Sequence, residues 1–201
     1  SNADNDAYSD RIDFLKSDLL NEDTQQLINI CENTIQILET KDPFSTTCLK
    51  AKLEKINAII KKSSVQEAES LKEEATFIFD SFINNNKIYE RNIFYIDMYL
   101  KFCSKNNLIQ NIENIFNKFD NRYSDSILYI IRKARIYLSC YRNLQMSLSI
   151  LENVDTSLLK YSRKDRDMYF YTYLKYLLYL FLLIGYYILY PASNALRLTA
   201  R

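Results

Sequence analysis

The chain has one glycine, Gly185, and two prolines, Pro43 and Pro191, in 201 residues. Sheet proteins make repeated tight turns, and tight turns draw on glycine and proline. So few of either excludes a meandering sheet and predicts an all-α chain. Histidine is absent altogether. That removes the commonest general base and the commonest metal ligand, and with them any Ser-His or Cys-His arrangement. A single glycine also rules out a glycine-rich phosphate loop. The four cysteines, at 31, 48, 103 and 140, form no CxxC pair. They read as small buried thiols rather than zinc ligands. No cofactor, metal or catalytic residue is expected.

Charge is also nearly absent as a net quantity, at +1. No overall field favours nucleic acid, although Arg132, Lys133, Arg135 and Arg142 gather around one helix and its turn. Acidic partners such as Glu113, Asp120 and Glu152 stand ready for them. Charge is unevenly spread, with nine acidic residues against Arg11 and Lys16 in the first 40. A solvated acidic end accounts for that. Adjacent carboxylates such as Glu73 and Glu74 point in different directions on a helix and make a poor catalytic pair.

What the chain does have is apolar residues, 48% of the total, and they recur with helical period. Leu49, Leu53, Ile56 and Ile60 step by four, three and four. Leu108, Ile112, Ile115 and Phe119 do the same. Boundaries agree with the stripes. Asp42-Pro43 should end one helix, because a residue before proline avoids the helical region. Ser64-Val65-Gln66-Glu67 has the form of a capping box, and Asn106-Asn107 tolerates left-handed geometry. Helices are predicted near 9–20, 22–40, 46–61, 64–84, 88–104, 107–119, 125–141, 144–153, 163–187 and 192–200. Connections this short predict antiparallel hairpins. The organisation expected is residues 1–3 as the remnant of a removed tag, 4–87 as N-terminal hairpins, and 88–201 as a repeat region continuous with them. No initiator Met follows the remnant, so the natural protein is expected to extend further at its N-terminus.

The run from 169 to 191, YFYTYLKYLLYLFLLIGYYILYP, is long enough to cross a bilayer. Its tyrosines are spread throughout, however, whereas interfacial aromatics gather at the two ends of a span. The expectation is a helix buried in protein, not a membrane span. Any part left uncovered is a surface for a homodimer.

Two stretches echo one another, MYLKFCSKNNLIQNIENIF (98–116) and IYLSCYRNLQMSLSILENV (136–154). Such a period points to a helical repeat. RNLQMSLSILENVDTSLL (142–159), with the helix that follows from Lys164, resembles the turn and second helix of a tetratricopeptide repeat. Arg142-Asn143-Leu144 stands at the turn and Ser147 at the small site. Ala134 and Tyr137 match the small and aromatic positions of the first helix, while LLIGYY (182–187) and NALRL (194–198) resemble a final repeat. The resemblance covers about residues 88–201. It implies stacked hairpins in a right-handed α-solenoid that binds a protein or peptide on its concave face, as the sensory or interaction region of a larger regulator. It places Leu128, Ile131, Arg135 and Leu138 near the groove, with Asp97 and Lys101 at equivalent positions on the preceding first helix. Asp97, Lys101 and Arg135 would be its polar contacts, although each would serve equally in a helix–helix ion pair. A cytoplasmic location is expected, with export or anchoring through an N-terminal segment as the alternative.

Overall fold

The computed structural model describes residues 24–85 and 89–155, and residues 169, 170, 172–174, 176 and 177 beyond them. The helices expected at 9–20 and 192–200, and most of the run from 169 to 191, lie outside these residues. Every regular element among the described residues is helical. In chain order they are α1 (Thr24–Lys41), α2 (Thr46–Ile60), α3 (Val65–Asn85), α4 (Tyr89–Lys105), α5 (Ile109–Tyr123), α6 (Ile127–Ser139) and α7 (Leu144–Glu152). The described residues between 169 and 177 are helical as well.

Side-chain caps fix the helix starts. Ser45 accepts from the Cys48 N–H at 3.1 Å, and Asn143 accepts from the Met146 N–H at 2.9 Å. Before α3 the capping box forms in full. Glu67 Oε2 accepts from the Ser64 N–H and hydroxyl, both at 2.9 Å, and Ser64 Oγ faces the Glu67 N–H at 3.4 Å. Those bonds hold the Glu67 carboxyl below its ordinary value. Asn107 adopts the left-handed conformation at φ 54° between α4 and α5. The one sizeable departure from the expected ends is α5, which runs four residues past Phe119. Tyr123 is buried there, with its ring near Phe119 and Tyr129. Packing extends the helix through Asp120-Asn121-Arg122, where the apolar stripe had already stopped.

The chain divides into two compact units, residues 1–118 and 119–201. Within the first unit, hydrogen bonds join α4 and its C-terminal turn to the α2 region.

In the first unit, α2 packs on α1, α3 and α4, and α3 packs on α4. The pairings give the directions. Lys52 meets Glu39 at 2.7 Å and Lys55 meets Glu32 at 2.8 Å, so numbers rise along α2 as they fall along α1. Phe79 stacks on Tyr99 and Phe82 meets Tyr95 edge-on, so α3 and α4 are antiparallel too. Between α2 and α4 the sense reverses. Arg91 reaches Asp42, the Tyr95 hydroxyl donates to the Phe44 carbonyl, and Asn106 donates to Asn57, at separations of 49, 51 and 49 residues. A near-constant separation means that α2 and α4 run parallel. The core is Leu49, Leu53 and Ile56 of α2, Phe79 and Phe82 of α3, and Tyr95, Tyr99 and Leu100 of α4, each at most 3% exposed.

The second unit gathers Ile127, Ile131, Ala134, Leu151, Val154, Tyr169 and Tyr176 into one cluster. Ser147, wholly buried, donates to the Ala134 carbonyl at 2.6 Å, and the Tyr176 hydroxyl reaches the same carbonyl at 3.0 Å. Small side chains at 134 and 147 permit that approach. Tyr169 donates to the Leu151 carbonyl at 2.9 Å. The buried phenols at 169 and 176 thus find backbone acceptors within protein.

Candidate binding recesses

Three open hollows each lie between a helix and the next but one in the chain, and in the first and third the intervening helix forms part of the lining. The first, about 290 Å³, lies between α1 and α3 over α2. Its floor is Ile56 and Ile59, and Ile35, Leu71 and Ile78 make its apolar walls. Charge at its edge is mostly compensated, since Lys52 and Lys55 hold Glu39 and Glu32.

The second, about 440 Å³, lies between α3 and the start of α5. Behind it a polar network joins three helices. The Tyr99 hydroxyl donates to Thr76 Oγ1 at 2.8 Å, and Thr76 donates to the Lys72 carbonyl at 3.0 Å. Asn111 Nδ2 donates to both oxygens, at 2.9 Å to Tyr99 and 3.2 Å to Thr76. Every hydroxyl proton in this network is placed, which fixes α3, α4 and α5 relative to one another. Burial pushes the Tyr99 phenol well above its ordinary range, so it holds its proton near neutrality. The rim is different. Lys72 pairs with Glu69 at 2.6 Å, but Glu73 and Asp80 have no ion pair or hydrogen bond among the described residues. Between them Phe77 is 76% exposed.

The third, about 380 Å³, lies within the second unit, between the end of α5 and α7 over α6. Ile130 and Ile150 form its apolar part. Asp120 accepts from the Tyr129 hydroxyl at 2.6 Å and from the Lys133 ammonium. Burial, reinforced by Asp120, pushes the Tyr129 phenol up.

The residues singled out in the sequence lie elsewhere, and none of the six lines these three hollows. Asp97 is buried and pairs with the exposed Lys101 at 2.9 Å, one helical turn away. Arg135 donates twice to the buried Thr172 hydroxyl, at 2.7 and 3.2 Å. Ile131 is 1% exposed and belongs to the core. Leu138 packs half-buried against that core, and Leu128 is half-buried. Of the basic cluster, Lys133 is held by Asp120. The recess residues Phe77, Glu73 and Asp80 escaped notice in the sequence, although an aromatic on the polar side of an amphipathic helix was a legible signal.

Among the described residues no set of three or more Cys, Asp or Glu side chains is placed to hold a metal ion. No described helix is long and apolar enough to cross a membrane. None of the four cysteines is in a disulfide, and three of them are buried. Compared with family models, curated proteins and solved structures, the chain matches none.

Proposed function

We propose that this chain is a non-catalytic scaffold of helical repeats that binds a protein or peptide, with tetratricopeptide-like hairpins stacked as a right-handed α-solenoid. The observation that carries the reading is a shallow hollow that recurs three times, each between a helix and the next but one in the chain. A repeat built this way buries two faces of each hairpin and leaves shallow, wide recesses suited to side chains of a partner. Two further features support it. The parallel register of α2 and α4 is what stacked hairpins require. The small residues 134 and 147, matched to the repeat's small positions, meet in the second unit. Buried tyrosines whose protons are held, and carboxylates without a nucleophile beside them, suit recognition rather than bond chemistry.

Peptide display on the immobilised chain tests this reading. Enriched peptides should lose binding to Phe77→Asp, whose thermal midpoint stays close to that of the parent, or to Ile130→Asp, assayed well below its own lowered midpoint because Ile130 packs half-buried on the core. If no peptide enriches, or if enriched peptides ignore both substitutions, the reading fails.

A second reading is self-association. Phe170, Leu174 and Leu177 stand at i, i+4 and i+7 and are 52%, 64% and 42% exposed. An apolar helical stripe of this kind suits a second copy of the chain. Sedimentation velocity decides it: a micromolar dimer that Leu174→Glu dissolves supports it, and a monomer at that concentration rules it out.

A further inference from the structure

We infer that the α3–α5 recess takes a cationic amphipathic helix of a partner protein, with Lys or Arg side chains on Glu73 and Asp80 and an apolar side chain on Phe77. The inference rests on the scaffold reading and adds the chemistry of the partner.

The argument begins with one face of α3. Glu73, Phe77 and Asp80 fall at i, i+4 and i+7, so they form a single stripe. All three line the hollow. The recess therefore offers two carboxylates, unpaired among the described residues and about 10 Å apart along the axis, from seven residues at 1.5 Å each. A large aromatic lies between them. The other recess residues are already committed. Lys72 is spent on Glu69, and the Thr76 hydroxyl and the Asn111 Nδ2 donors are engaged with Tyr99 and one another. Nothing cationic within the recess answers Glu73 or Asp80, so the complementary charge comes from the occupant. The first recess, on the other side of α3, shows the contrast, with both of its lysines carrying salt bridges.

Spacing selects the secondary structure of the occupant. An extended chain rises about 3.3 Å per residue and alternates its side chains, so same-face positions fall about 7 or 13 Å apart. Neither matches the carboxylates. A helix repeats on one face at i and i+7 with the same rise as α3 itself. A partner helix lying along α3 can therefore set two cations on the carboxylates and a Leu or Phe at i+3 or i+4 on Phe77. Exposed Phe77 supplies apolar area and the carboxylates supply register and selectivity.

Three labelled synthetic helices provide the test with the whole chain. One carries Lys at i and i+7 and Leu at i+3 and i+4. The second replaces the lysines with Glu, and the third keeps the first composition but moves its lysines to the face opposite the leucines. Fluorescence anisotropy should show the first binding about tenfold or more tightly than the others, with affinity falling as salt rises. The double variant Glu73→Lys/Asp80→Lys should lose that preference about tenfold, and Phe77→Ala should weaken binding by a similar factor. Glu74→Lys, on the other side of the same helix, should leave binding unchanged, and unaltered thermal midpoints should accompany all of these. Equal binding of the three helices, or indifference to the double variant, overturns the inference. Display-selected peptides that ignore Phe77→Asp but lose binding to Ile130→Asp overturn it while leaving the scaffold reading intact. A dimer that Phe77→Asp dissolves also overturns it, because the occupant is then a second copy.

Discussion

Arg142 stands in the left-handed region at φ 51°, where a side chain with Cβ crowds its own carbonyl and glycine does not. Arg142→Gly should therefore stabilise the chain by about 1 kcal/mol in urea titrations. An unchanged or lower midpoint would show that the arginine head group does more for the fold than its backbone costs. Cys48 makes a prediction about pH. Burial raises its thiol from 9.0 to about 11, against the smaller opposing pull of Lys52. Below pH 9 both states hold the proton and stability does not depend on this group. Between pH 9 and 11 the unfolded chain gives up a proton that the folded chain keeps, so stability falls as pH rises. Cys48→Ala should make the fall of the urea midpoint across that window shallower, the remainder coming from buried phenols such as Tyr99 and Tyr129. If the variant falls as steeply as the parent, the thiol is not the cause.

At the scale of the helix, α6 separates residues that hold the fold from residues that face outward. Ile131→Ala should cost about 2–5 kcal/mol, whereas the half-buried Leu128 should cost less. Arg135→Ala should lower the thermal midpoint by removing both bonds to buried Thr172, and it should leave peptide capture by the first unit unchanged. Loss of capture without loss of stability would instead mark Arg135 as a partner contact. Helix positions were legible because caps and turns are local. Pro43, the Ser64–Glu67 box and Asn107 each mark an end through their own backbone chemistry. The outward face of α6 was not legible, because Ile127, Tyr129, Ile131, Ala134 and Ile136 are all buried. A helix covered on several sides gives no single stripe from which to read a groove. The end of α5 was hidden for a related reason, since tertiary contacts at Tyr123 set it.

For the molecule as a whole, scarcity of glycine and proline predicted helices without sheet, and composition carries that much because turns have few alternatives. It could not tell which charges remain uncompensated after folding. Glu69, Glu73, Glu74 and Asp80 look alike along the sequence. Glu69 finds its lysine three residues on along α3 itself, whereas only the packing of α3 against its neighbours sets Glu73 and Asp80 on an open hollow. The central claim, recognition through recesses between every second helix, is tested most directly by mapping amide shifts of the isotope-labelled chain as the cationic helix is added. The account predicts shifts concentrated at residues 69–80 and 108–111. Shifts confined to α2, or to Asp97 and Lys101 on α4, or no shifts at saturating peptide, would contradict it.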